Sequence, residues 1–156
     1  MVDSPMVRTA SPHDFERIVE LERTCFEGDL AYSRRQLRYR VFAANSTTLI
    51  EEFKGVIRGF VIVLFRTGSS VAGIETVNVD PVFRKQGVGT RLLVAVEEDV
   101  RRKGAQKIRL EVSVTNHTAI ALYERAGFHR ICMLKNYYHF LHDSSRDAVR
   151  MAKELR

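Results

Sequence analysis

Cysteine is scarce in this chain of 156 residues: there are two, Cys25 and Cys132, far apart and without metal-ligand spacing. Zinc is therefore not indicated, and both thiols, set among apolar neighbours, are expected to be buried and free in a reducing compartment. No apolar run approaches the ~20 residues that a membrane span needs. The N-terminus lacks the apolar core of a secretion signal. A cytoplasmic protein without a membrane anchor is expected. The five histidines include no pair at zinc-motif spacing. Nor does any Ser–His–Asp or Cys–His arrangement stand out. Repeats, linkers and low-complexity stretches are absent too, so residues 1–156 are read as one domain with one sizeable core.

The chain carries 45% hydrophobic and 28% charged residues, ordinary values for a globular protein. Its net charge is +6, built from 19 arginines and 6 lysines against 19 acidic residues. Such a surface suits steering of an anionic cofactor, or a basic partner surface near ribosomal RNA. The basic residues are scattered, apart from the run Arg34 to Arg40 and Arg101-Arg102-Lys103. Specific nucleic-acid binding is not expected.

The most informative stretch runs from Val77 to Leu93. An apolar strand ends at Asp80-Pro81, and a basic, glycine-bearing turn opens an amphipathic helix. Unpaired N–H groups at the positive end of the helix dipole make an anion site there. Gly87 and Gly89 let a phosphate approach the main chain, with Arg84, Lys85 and Arg91 supplying charge. A Walker-type loop is excluded because Thr90-Arg91 follows Gly89, and a Rossmann fingerprint because Leu92 stands where a third glycine belongs.

Elsewhere, Ser11-Pro12-His13-Asp14 caps a helix to about Phe26, and Ser33-x-x-Gln36 starts a short one through Val41. Residues 27–32 between them read as a loop. Leu49–Phe53 and Val56–Phe65 form a hairpin around Lys54-Gly55, and Val71–Val79 follows a Gly68-Ser69-Ser70 turn. The helix from Val88 stops at Gly104. Lys107–Ser113 alternates as a strand, Thr115 or Asn116 caps a helix ending at Gly127, and Phe128–Leu134 is a strand. Residues 147–155 suit a strand or a helix. The order is that of an α+β fold, or α/β in three layers, with a mixed sheet.

Arg84-x-x-Gly87-x-Gly89 resembles the pyrophosphate loop of the GCN5-related N-acetyltransferases (GNAT). Leu110-Glu111-Val112, Asn116, the run Ala119 to Phe128 and Lys135-Asn136-Tyr137-Tyr138 extend the resemblance over the whole chain. It is closest to RimI-type and related N-terminal α-amino acetyltransferases. One departure is Ser145-Arg146-Asp147-Ala148, where those chains carry Gly-Glu-Asp-Ala. The resemblance implies a single domain with about seven strands, four helices and a splayed parallel strand pair that binds acetyl-coenzyme A. It further implies direct acetyl transfer to a primary amine: a protein or peptide N-terminus, such as that of a ribosomal protein, or a small amine such as a polyamine, amino acid or aminoglycoside. A non-catalytic acyl-coenzyme-A-binding module is the reading from another class. The protein is expected to be a monomer or a homodimer.

The family resemblance also assigns roles. Glu111 is the base, with Glu75 as rival base or substrate contact, and Tyr123 protonates the leaving thiolate. The backbones of Val77 and Val79, read as sharing a strand face with Glu75, pair with pantetheine. Arg84, Lys85, Gln86, Gly87, Val88, Gly89 and Thr90 take the pyrophosphate, and Asn116 the pantetheine arm. Tyr32, Tyr137 and Tyr138 grip the acceptor or, equally, pack in the core. No metal takes part. An α-amine has a reference pKa of about 7.7–8.0 against about 10.4 for lysine, so a carboxylate acting through water suffices as base.

Overall fold

The stretch Val56–Phe65 is almost continuously apolar, which requires cover on both faces of its strand. The computed structural model, which describes residues 4–155, supplies that cover. Seven strands form one sheet: β1 Met6–Thr9, β2 Ser46–Phe53, β3 Val56–Phe65, β4 Val71–Val79, β5 Lys107–Ser113, β6 His129–Leu134 and β7 Ala148–Glu154. Four α-helices flank it: α1 Phe15–Cys25, α2 Arg34–Arg38, α3 Val88–Arg102 and α4 His117–Arg125. Phe15, Ile18, Leu21 and Leu37 of α1 and α2 pack on Ile50, Phe60 and Ile62. On the opposite face, Leu92, Val96, Ile120 and Tyr123 of α3 and α4 pack on Val61, Val63 and Leu110. The result is the expected three-layer α+β arrangement.

Strand order is β1-β2-β3-β4-β5-β7-β6. Pairing is antiparallel except between β4 and β5, which run parallel and stay together only from Val71–Gly73 against Lys107–Arg109. Beyond Gly73 the two strands diverge. The carboxyl end of β4 therefore has β3 on one side and an open edge on the other. Lys54 and Gly55, both at positive φ, close the β2–β3 hairpin. α3 ends in a Schellman arrangement: Gly104 sits at φ +85°, and Ala105 N–H donates to Val100 C=O at 3.2 Å. Gly59 owes its identity to space. A Cβ there would meet Asn78 O at 2.6 Å and Val88 Cγ1 at 2.9 Å, so glycine lets α3 seat against the sheet.

Several expectations need correction. Met6–Thr9 forms a strand against β2 that its short pattern did not announce, and β2 starts at Ser46 rather than Leu49. The second helix gives way after Arg38 to a π-turn over Tyr39–Ala43. Residues Ala148–Glu154 are a strand, because β7 lies between β5 and β6 and buries Val149, Met151 and Ala152. Cys25 is half-buried and Cys132 is exposed. The latter follows from position: β6 is an edge strand, and Ile131 (49%) and Met133 (57%) beside Cys132 are exposed too.

Candidate active site

The anion loop is built by opposing constraints. Asp80 caps the turn at Pro81–Phe83, its carboxylate accepting from Val82 N–H at 3.1 Å and pairing with Arg17 at 2.8 Å. Lys85 (φ 62°) and Gly87 (φ 79°) then turn the chain into the left-handed region, and Gly87 becomes the N-cap of α3. Among the described residues, no backbone carbonyl accepts from the N–H groups of Lys85, Gln86, Gly87, Val88, Gly89 or Thr90. Six donors at a helix N-terminus are thus free for an anion, and a cavity of about 470 Å³ lies beside them, lined by Arg84, Lys85, Gly87, Gly89, Thr90 and Arg125 among others.

Arg91 does not serve as expected. Its Nε donates to Glu51 at 2.9 Å and its Nη2 to the Gln86 carbonyl at 2.6 Å. Glu51, fully buried, also takes Arg58 Nε at 2.9 Å and Nη2 at 2.6 Å. Arg58 reaches the Gln86 side chain at 3.1 Å and lies over the rings of Phe53 and Phe83. These contacts brace the loop from behind. A Cβ on Gly87 would come within 2.8 Å of Arg91 Nη1, and one on Gly89 within 2.8 Å of Leu122 Cδ2. The left-handed backbone at Gly87 favours glycine whatever the ligand, whereas at Gly89 the close neighbour is the tip of the Leu122 side chain.

Asp80 N–H donates to Arg58 C=O at 2.9 Å, and Gly59 stands opposite Val79. In an antiparallel ladder bonded and non-bonded pairs alternate, so the main-chain groups of Val79 and Val77 point away from β3, toward the open edge. One of them has a neighbour: the Cys25 thiol donates to Val79 C=O at 3.4 Å, and burial pushes that thiol's pKa up to about 11. The exposed pair of amide edges fits an extended ligand that bonds like a strand.

A second, inner cavity of about 350 Å³ opens where β4 and β5 part. Glu75, Glu111, Tyr32, Tyr123, Tyr137 and Tyr138 all line it, with Val77 and Asn116. Asn116 caps α4 by accepting from Ala119 N–H at 3.2 Å, while still facing the cavity. Tyr123 is buried against Phe128, and burial, then Tyr138, drives its phenol above the ordinary range. Burial does the same for Tyr138, whose ring stacks on His142 at 3.9 Å.

Glu75 does not share a face with Val77 and Val79. The register slips there: Ile62 faces Thr76 and Val63 faces Ile74, leaving Glu75 as a bulged residue. The bulge turns Glu75 toward the α1–α2 face, where it bonds the Tyr32 hydroxyl and Arg40 Nε (3.0 Å). Glu111 stands opposite Arg150 on β7 and accepts from its Nε at 2.9 Å, with Arg109 at 3.4 Å and the Tyr137 hydroxyl at 3.4 Å. Glu22, which carries no motif in the sequence, belongs to the same cavity. Its carboxylate is buried, raised in pKa by that burial, and accepts from Tyr32 N–H (2.9 Å) and Asn78 Nδ2 (3.0 Å). The signal was available: Glu22 falls on the apolar stripe of α1 with Ile18 and Leu21.

An anion loop at a helix start, an open strand edge beside it and a polar cavity at the splay together suit a long, phosphate-bearing ligand that pairs like a strand. Residues 15–128 match the acetyltransferase (GNAT) family. The chain belongs to that family, and is an N-acetyltransferase domain working with acetyl-coenzyme A. It is 32% identical over 149 residues to N-alpha-acetyltransferase RimI of Mycobacterium tuberculosis, covering 90% of this chain and 87% of that one. Over 150 residues it is 29% identical to [ribosomal protein bS18]-alanine N-acetyltransferase of Haemophilus ducreyi, covering 96% of this chain and all of the other. The crystal structure of the ribosomal-protein-S18-alanine N-acetyltransferase from Escherichia coli superposes with a TM-score of 0.86 at 24% identity, covering 97% of this chain and 94% of that one. The chain spans only 40% of the length of a Mycobacterium leprae relative that is 34% identical over 157 residues. No helix among the described residues is long and apolar enough to cross a membrane. Nor do they hold a group of three or more His, Cys, Asp or Glu able to bind a metal ion.

Proposed function

We propose that this chain transfers an acetyl group directly to the free α-amine of a polypeptide, in the cytoplasm, with a ribosomal protein as the first acceptor to test. One observation carries the reading. Among the described residues, the inner cavity is lined by Glu22, Asp29, Glu75 and Glu111 and by no lysine or arginine; Arg40 and Arg150 pair with Glu75 and Glu111 from outside that lining, so the cavity wall offers an ammonium group oxygen acceptors and no competing cation. The M. tuberculosis and H. ducreyi relatives, named for α-amine and alanine acetylation, add support.

The coenzyme fits the free N–H groups of residues 85–90, the backbone edge of Val77 and Val79, and Asn116. When bound, it supplies a thioester whose cleavage releases a thiolate. Glu111, held by Arg150 and Arg109, takes a proton from the acceptor ammonium through a water, leaving the neutral amine that reacts. Glu75 fixes the Tyr32 hydroxyl, which with Tyr137 and Tyr138 lines the acceptor's path. Tyr123 keeps its proton at neutral pH and donates it to the departing sulfur.

The test is a panel of peptides with free or blocked N-termini, alongside polyamines and aminoglycosides, with radiolabelled acetyl-coenzyme A. Label is expected on free α-amines and not on blocked peptides that contain lysine. Label confined to small amines overturns the reading. Coenzyme binding without any thiol release makes the chain a binding module.

Gly87→Val tests the coenzyme half separately. The left-handed backbone and the Arg91 contact together oppose a side chain at this position. A strain of about 1–2 kcal/mol, expressed in the loop, weakens acetyl-coenzyme A binding by about 5- to 30-fold in calorimetry. Unchanged affinity removes the loop from the coenzyme site.

A further inference from the structure

A third cavity, of about 620 Å³ and called the outer one, adjoins the inner one and shares Ile74, Glu75 and Glu111 with it. Its charge is reversed. Arg40, Arg66 and Arg109 line it, and Glu75 and Glu111, at the boundary, are the only carboxylates among its described lining residues. Those two are already matched, Glu75 by Arg40 at 3.0 Å and Glu111 by Arg150 at 2.9 Å. Arg109 reaches Glu111 only at 3.4 Å and is 46% exposed. Arg66, also exposed, has no carboxylate within bridging distance among the described residues. The outer cavity therefore keeps surplus positive charge.

Its wall is shaped by the π-turn at Tyr39–Ala43. Ala44 N–H donates to Tyr39 C=O at 2.8 Å, and the Ser46 hydroxyl donates to Arg40 C=O at 2.5 Å. π-Turns of this kind gather at functional sites, because the extra residue rotates the next stretch of backbone to a new heading. Here it sets Arg40 in the wall of the outer cavity, bonded to Glu75 at the boundary.

We propose that the outer cavity receives the residues after the acceptor's first one and selects an acidic side chain among them. The inference rests on the inner cavity being the α-amine site. From there, an extended chain advances about 3.3–3.6 Å per residue, and because the two cavities adjoin at Ile74, Glu75 and Glu111, residues soon after the first are the ones that can enter the outer cavity. A positive amine in an acidic pocket, followed by a carboxylate near Arg66 and Arg109, matches the order of charge along the groove. Small amines leave the outer cavity empty, which makes the preference a property of polypeptide acceptors.

The test uses the whole protein and free-amine peptides of identical first residue, with Asp, Ala or Lys at positions two to five in turn. Exposed arginine–carboxylate pairs are weak one at a time, so about a 3- to 10-fold advantage of Asp over Lys in kcat/KM is expected at the best position. The gain belongs in KM and shrinks as salt rises. Arg66→Glu is expected to reverse the order, favouring Lys. Equal rates for Asp, Ala and Lys peptides, or a Lys preference in the unaltered protein, overturn the proposal while leaving N-terminal acetylation intact. If no peptide is acetylated, the underlying reading fails as well. A free acidic amino acid, tested beside the peptides, separates a side-chain carboxylate from an α-carboxylate: its preferential acetylation also overturns the proposal.

Discussion

Replacing Glu51 with leucine is expected to cost about 3–5 kcal/mol of stability, because it strands the buried Arg58 guanidinium without its partner. For a domain of this size that is a fall in Tm of about 6–20 °C. The loop should loosen as well, since Arg91 and Gln86 lose the anchor that ties them to β2, and the KM for acetyl-coenzyme A should rise. Burial alone would raise the Glu51 carboxyl pKa, but the hydrogen bonds of Arg58 and Arg91 outweigh it and hold the group below its ordinary value. Its contribution is therefore complete above the unfolded-state pKa, about 4.3, and fades as pH falls through the lower folded value. Glu51→Leu should flatten acid unfolding in that window. The double variant Glu51→Leu, Arg58→Met separates the two effects. An apolar pair of similar volume commonly restores stability, yet it cannot hold Gln86. Recovered Tm with a persistently high KM identifies the brace as positioning the loop. Full recovery of both assigns the pair to stability alone.

Much of the architecture was written in local patterns. The strand-turn-helix around Gly87, the Asn116 cap and the Gly104 stop each rest on neighbours close in sequence, and the structure places them as read. What escaped depends on distant partners. Met6–Thr9 is a strand because β2 offers it an edge, not because four residues declare one. The apolar neighbours of Cys132 implied a buried thiol, but only the strand order reveals that β6 lies at the rim.

The same distinction runs through the site. Glu111, Tyr123 and Asn116 could be found from their motif context and do meet in one cavity with Glu75 and Tyr32. The bulge that reverses Glu75 is a property of pairing with β3, so simple alternation along β4 misassigned its face. Arg91 was legible as a cation near the loop. Its true partner, Glu51, lies 40 residues upstream on another strand. Charge near a phosphate site in sequence is therefore not the same as charge directed at phosphate.

Tyr123→Phe is expected to lower kcat by about 100-fold or more, within the range usual for losing a general acid. The structure makes this substitution unusually clean. Tyr123 is buried and its ring packs 5.9 Å from Phe128, contacts that phenylalanine preserves. The substitution removes only the hydroxyl from the wall of the inner cavity. Tm should therefore move by no more than about 1 °C per few tenths of a kcal/mol lost, and the KM for acetyl-coenzyme A should stay within about twofold. Burial raises the phenol's pKa, so the hydroxyl stays protonated through neutral and mildly alkaline pH and imposes no basic limb of its own there. An acetyl thioester with a more acidic leaving thiol needs less protonation, and should recover part of the lost rate in the variant. A normal turnover, or a rate deficit indifferent to the leaving group, would remove Tyr123 from the proton transfer and leave it as a wall of the cavity.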